Sequence, residues 1–151
     1  VSVGAQGVQV PSIEVKHYIE VDSSSATGGG ERSMRCEVVL LDEVEEWYLS
    51  LVASGDDDAA AVTAAIDYLE AEGPTLGRPA VDKVKGSRIH NMKELRPHGT
   101  SIRILFVFDP RRQAILLVAG DKAGEWKQWY TDNIPIAEGR YELWLNEQNK
   151  Q

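Results

Sequence analysis

Apolar and polar positions recur on two different periods along this chain of 151 residues. Ile13, Val15, Ile19 and Val21 fall on a period of two, with Glu14, Lys16, Tyr18 and Glu20 between them, the alternation of a strand. Ser23 to Gly30 is built from serine and glycine with one alanine and one threonine, the composition of a flexible linker. Residues 1–33 therefore read as an extension, either flexible or adding an edge strand, and 34–151 as the domain proper. Val38, Val39, Leu40 and Leu41 form a short apolar run that predicts a strand. The period then lengthens. Val44, Trp47, Tyr48 and Leu51 stand at i, i+3, i+4 and i+7, one apolar face of a helix. Asp42 and Glu45 have capping-box spacing at its start, and Gly55 stops it. A second helix turns Val62, Ala65, Ile66 and Leu69 inward and ends at Gly73-Pro74.

Thr75 to Gly86 is punctuated by Gly77, Pro79 and Gly86 and reads mostly as loop. Three strands follow, at Ile89–Arg96, Ile102–Phe108 and Ala114–Ala119. Pro97-His98-Gly99 and Asp109-Pro110-Arg111 are links too short for parallel crossovers, so these strands form an antiparallel meander. The third strand is wholly apolar and belongs at the centre of the sheet, covered on both faces. Beyond Gly124 one helix gathers Trp126, Trp129 and Tyr130; Trp126, Trp129 and Trp144 could stack on bases, but the helical spacing of the first two favours core packing. Another starts near Pro135 and turns Ala137, Tyr141, Trp144 and Leu145 inward. The sum is an α+β domain: a helical hairpin packed on a small antiparallel sheet, with C-terminal helices. Trp47, Leu51, Ile66, Leu69, Ile104, Phe106 and Leu116 are its expected buried residues.

Composition narrows the class. Hydrophobic residues at 42% and charged ones at 26% exclude wholesale disorder, and no apolar run is long enough to span a membrane. The first residues lack the pattern of a signal peptide, so a cytoplasmic location is expected. Cys36 is single, lies in an apolar strand and reads as a small core residue, and no Cys/His cluster has metal spacing. No metal or cofactor is expected. The Asp56-Asp57-Asp58 run lacks the alternating oxygens and glycine of a calcium loop, and reads as acidic residues at a helix N-terminus.

Charge divides the chain. Met34 to Val81 carries 11 acidic and 2 basic residues, whereas Asp82 to Tyr130 carries 10 basic and 5 acidic. An anionic ligand therefore belongs to the second half. There, a regular strand would align Arg88, His90, Met92, Glu94 and Arg96 on one face. Arg103 opens the next, otherwise apolar strand, where a guanidinium needs an anion: Glu94 or Asp121 in a salt bridge, or a ligand. Lys122 ends the third strand and Lys127 follows it. Cationic side chains from three adjacent strand ends suit a phosphodiester, whose charge they stabilise without a metal.

The segments Glu72-Gly73-Pro74-Thr75-Leu76-Gly77-Arg78-Pro79, His90-Asn91-Met92-Lys93-Glu94-Leu95-Arg96, Ile102-Arg103-Ile104-Leu105-Phe106 and Leu117-Val118-Ala119-Gly120-Asp121-Lys122 carry a resemblance. Over about Met34 to Leu145 the chain resembles the RelE/HigB superfamily of toxins, in its HigB-like, phage Gp49-like branch. The resemblance implies a RelE/ParE-like fold and a metal-independent endoribonuclease that cuts mRNA in the ribosomal A site. In that family the ribose 2′-hydroxyl attacks the neighbouring phosphate and leaves a 2′,3′-cyclic phosphate. Carried over by position, Arg96 and Arg103 would grip the scissile phosphate, flanked by Lys93 and Lys122. His90 or Glu94 would take the 2′-hydroxyl proton, and Lys127 and Arg88 would bind RNA. The implied partner is a helix-turn-helix antitoxin. Two other readings share the fold: a ParE-like inhibitor of DNA gyrase, and an inactive binding module.

Overall fold

The structure is a computed structural model that describes residues 35–150. The strand expected at Ile13 to Val21, and the linker after it, lie outside the described residues. Nine segments of regular structure follow in order: β1 (Val38–Leu40), α1 (Asp42–Ala53), α2 (Asp58–Glu72), a single 3₁₀ turn (Gly73–Thr75), β2 (Val81–Lys83), β3 (Lys93–Leu95), β4 (Ile102–Phe108), β5 (Ala114–Asp121) and α3 (Trp126–Asn149). The strands make one sheet in the order β1-β5-β4-β3-β2.

Period-two alternation gives this sheet two apolar faces, and each is covered. Val38, Ile104, Phe106, Ala114 and Leu116 meet Val44, Tyr48, Val62, Ile66 and Leu69 of the α1–α2 hairpin. Met92, Leu105, Val107, Ile115 and Leu117 meet Ile134, Ala137 and Tyr141 of α3. The result is the α+β arrangement expected from the pattern; β5 is buried on both faces as its apolar run required, but it is the second strand of five and β4 takes the centre. Ile66, Leu69, Ile104, Phe106 and Leu116 are buried, whereas Trp47 and Leu51 are only partly so.

Four details differ from the sequence reading, each for a physical reason. The sheet is mixed: β1 runs parallel to β5, with Val38 opposite Ala114 and Leu40 opposite Leu116. The short-link argument constrains only strands adjacent in sequence, and β1 is joined to β5 through most of the domain. Second, β2 lies inside the segment read as loop. Its three residues are too few for a period to register, yet Val81 pairs with Leu95 and is buried. Third, β3 covers only Lys93–Leu95, because the chain turns before it and the Met92 amide bonds Ile89 O at 3.0 Å. Fourth, the two C-terminal helices are one helix of 24 residues, about 36 Å long, with Pro135 in its interior. Pro135 withholds the bond to the carbonyl four residues earlier, on a surface where water can replace it.

The helix starts also differ in detail. Leu41, not Asp42, occupies the cap position of α1, so the capping box does not form. Asp42, Glu43 and Glu45 instead sit in the first turn, where the helix dipole favours negative charge. Asp56 accepts the Asp58 amide at 2.8 Å and Asp58 opens α2, the role expected of that acidic run. Gly55 links the two helices with φ +72°, a conformation that side chains with a Cβ resist.

Candidate active site: a cationic cleft around a buried carboxylate

The site is assembled where β2, β3 and β4 meet the start of α3. Asp82 on β2 stands opposite Glu94 on β3, and Arg103 on β4 stands opposite Gly120 on β5. Arg96 lies just past β3, held by its amide to Ala80 O at 2.8 Å. A cleft of about 730 Å³ opens here, lined by Asp82, Glu94, Arg96, Arg103, Lys122, Trp126, Lys127 and Tyr130 together with residues 83–85 and Thr131.

Glu94 is its anchor. Only 3% of this residue is exposed, and a carboxylate buried so deeply needs charged or donating partners. Arg96 supplies two, with Nε and Nη2 each 2.8 Å from Glu94 Oε2. The Tyr130 hydroxyl donates to Oε1 at 2.6 Å. Arg96 also reaches Asp82 Oδ2 at 3.1 Å through Nη2. Burial pulls the Arg96 pKa down, but the hydrogen bond and charge of Glu94, with Asp82 and Tyr130, carry it above its ordinary value. Burial, then the hydrogen bond to Glu94 and its charge, push the Tyr130 phenol well above the usual tyrosine range. Arg96 is therefore cationic and Tyr130 neutral at any working pH.

Arg103 is held differently. Its Nη1 donates to the carbonyls of Ile102 at 2.7 Å and Thr100 at 3.3 Å, while its Nε is buried with no partner. Neither Glu94 nor Asp121 bonds it. Asp121 instead accepts from the Ser101 hydroxyl and the Ala123 amide, which lower its pKa. The salt bridge considered for Arg103 is thus made by Arg96, and Arg103 keeps donor capacity for an anion. Across from Arg103, Gly120 admits the Trp129 indole: a Cβ there would lie 2.8 Å from Trp129 Nε1. Trp129 meets Tyr130 edge to face at 5.2 Å, which fixes the tyrosine that holds Glu94.

Of the residues singled out from the sequence, Arg96, Arg103, Lys122, Glu94 and Lys127 converge on this cleft. Three do not. Lys93 alternates with Met92 and Glu94 and pairs with Phe106, so the register puts it on the α1–α2 face of the sheet. His90 is exposed in the turn before β3, away from the cleft. Arg88 is engaged by α3, with Nε 3.3 Å from Glu138 and Nη1 bonded to Glu142. Its amide and the Ser87 hydroxyl also bond Glu138, so this turn fastens α3 to the sheet. Among the cleft residues that the sequence reading does not single out are Asp82 and Tyr130, with Lys83 and Lys85 of the segment around β2. Asp82 lay in a segment without period, and Tyr130 read as one of three core aromatics. Trp126 departs from that core reading too, being 51% exposed, with Lys127 Nζ 5.6 Å from its ring centroid.

A small mixed sheet between a helical hairpin and a long C-terminal helix is a RelE-like arrangement, and it gathers Arg96 and Arg103 in one cleft. Comparison with known proteins places it further. The model of the family "Phage derived protein Gp49-like" matches residues 50–142, and the chain belongs to that family. It is 67% identical over 108 residues to "Putative toxin HigB3" of Mycobacterium tuberculosis (strain ATCC 25618 / H37Rv), a match covering 72% of this chain and 92% of the relative. It is 60% identical over 80 residues to "Putative toxin HigB2" of the same organism, covering 51% of this chain and 40% of that protein. Among the described residues no helix is long and apolar enough to cross a membrane.

Proposed function

We propose that this chain is the toxin of a toxin–antitoxin pair and that it cuts mRNA in the ribosomal A site. Its HigB-like relatives support the first part. The observation that carries the second is the convergence of Arg96, just past β3, and Arg103 of β4 on one cleft with Lys122 and Lys127. Such donors act on the non-bridging oxygens of a phosphate, where negative charge develops during displacement. The reacting ribose 2′-oxygen forms a bond to phosphorus as the bond from phosphorus to the 5′-oxygen breaks. Glu94 takes the 2′-hydroxyl proton: it lines the cleft, whereas His90 does not. A carboxylate has about four acceptor positions, so the bonds from Arg96 and Tyr130 leave room for this proton. Lys122 protonates the departing 5′-oxygen. Arg103 meets the phosphate through Nη2, since Nη1 is held by backbone carbonyls and Nε is buried, and Arg96 does so from the side away from Glu94.

The reading makes the cognate antitoxin, a helix-turn-helix protein, the chain's second partner. The test is addition of the purified chain to ribosomes programmed with a defined mRNA. Cuts confined to the A-site codon, with 2′,3′-cyclic phosphate ends, are expected. Intact mRNA with DNA breaks that depend on gyrase would replace this reading with the ParE-like one.

A further inference from the structure

Arg96 and Arg103 line a second groove as well. It has a volume of about 920 Å³ and runs from the Pro97-His98-Gly99-Thr100 turn along α2, past Ala61, Ala64, Ala65 and Tyr68, to Gly77 and Pro79. The two arginines are thus the shared wall between two open spaces, one floored by α2 and the other by α3. Each space contains one large aromatic residue that the fold leaves outside its core: Tyr68 is 51% exposed in the first, and Trp126 is 51% exposed in the second. Neither aromatic is needed to close the hydrophobic clusters, from which both are missing.

We propose that the groove along α2 is a nucleotide subsite. A single-stranded RNA would pass over the Arg96–Arg103 wall, with the base on one side of the scissile phosphate against Tyr68 and the base on the other side against Trp126. This deepens the mRNA-cleavage reading and rests on it. The occupant follows from the connection: whatever fills the α2 groove is continuous with a ligand whose anionic centre sits at Arg96 and Arg103. Nucleobases alternate with phosphates along a strand, as these exposed rings alternate with the guanidiniums. Along α2 the floor is mostly alanine, with Tyr68 and, at its end, Glu72 as the long side chains, so a base can lie flat beside Tyr68. Rings of this kind stack on any base, which makes the subsite a positioning device rather than a reader of sequence.

The test uses programmed ribosomes and an mRNA carrying a 2′-O-methyl group at the attacking ribose, which stops the cut. A photoreactive 4-thiouridine is placed immediately before or immediately after the scissile phosphate. One position should cross-link to the α2 peptide containing Tyr68 and the other to the peptide containing Trp126. On cleavable mRNA, Tyr68→Ala should raise KM about tenfold with little change in kcat, and Tyr68→Phe should restore it. Both cross-links on the α3 side, or an unchanged KM in Tyr68→Ala, would overturn the subsite while leaving cleavage itself intact. Normal cleavage by a Tyr68→Ala protein that no longer binds its antitoxin would make the groove a protein-docking face instead. A wild-type chain that cuts no mRNA on ribosomes would remove the underlying reading, and the subsite with it.

Discussion

Replacing Glu94 by alanine should be the most damaging single change in the cleft, and the structure sets its size. The substitution leaves the Tyr130 hydroxyl without its acceptor and strips Arg96 of two bonds at 2.8 Å. Breaking a buried ion pair by removing one partner costs ~3–5 kcal/mol. The lower end applies here, because Asp82 remains within 3.1 Å of Arg96 and the arginine side chain is 31% exposed. At about 4 °C per kcal/mol for a domain of this size, the melting temperature should fall by about 12 °C. Tyr130→Phe removes only one hydrogen bond to the carboxylate and should cost ~1.5–3 kcal/mol. Because both changes break the same contact, the double variant should be less destabilised than the sum of the singles by about 1 kcal/mol or more. Thermal and urea unfolding of the four proteins measure this directly. A Glu94→Ala protein within about 0.5 kcal/mol of wild type, or strictly additive variants, would refute the idea that one buried carboxylate organises Arg96 and Tyr130.

Asp82→Asn should keep the fold, since a partly exposed ion pair contributes only about 1 kcal/mol, and should lower KM for ribosome-bound mRNA about threefold by freeing Arg96 from a competing anion; a raised KM would contradict this. Spectrophotometric titration should show Tyr130 ionising well above the ordinary tyrosine range, a signal that disappears in Tyr130→Phe. Because the folded state raises this pKa, the stability it contributes is full below the unfolded value of ~10 and fades as pH climbs through the higher folded value, so wild type should lose more stability above pH ~10 than the phenylalanine variant. Gly120→Ala should cost ~1–3 kcal/mol by driving a methyl group into the Trp129 indole, and an unchanged melting temperature would show that the indole moves freely. Asp109→Ala should destabilise by about 3 kcal/mol, because the carboxylate accepts from the amides of Arg111 and Gln113, the Gln113 side chain and the Trp144 indole.

The layers of this fold were legible because they rest on long periodic segments. Val62, Ala65, Ile66 and Leu69 announced α2, and the unbroken run from Ala114 announced a strand covered on both sides. What escaped was short or non-local. Three residues of β2 carry no period, and the parallel pairing of β1 with β5 joins segments that no local rule connects. The site shows the same division. Arg96, Arg103 and Lys122 stood out as cations at strand ends, where charge has to be explained. Asp82 and Tyr130 did not, because their roles exist only once β2 lies beside β3 and the first turns of α3 cross above Glu94. Lys93 and His90 mark the limit of assuming a regular strand. A turn at Ile89 to Met92 takes His90 out of alignment with Glu94, and alternation puts Lys93 on the opposite face.

In the proposed mechanism Arg96 and Arg103 hold one phosphate between them. Single-turnover cleavage of ribosome-bound mRNA by Arg96→Ala and Arg103→Ala, read beside each variant's melting temperature, tests it most directly. Both variants should cut at least ~10²-fold more slowly, and lysine should restore only part of the rate because it lacks the planar fork. Arg103→Ala should melt within a few degrees of wild type, its side chain bonding only the Ile102 and Thr100 carbonyls. Arg96→Ala should melt lower, since Glu94 loses its counter-ion. An Arg103→Ala protein that cuts at the wild-type rate would contradict the account.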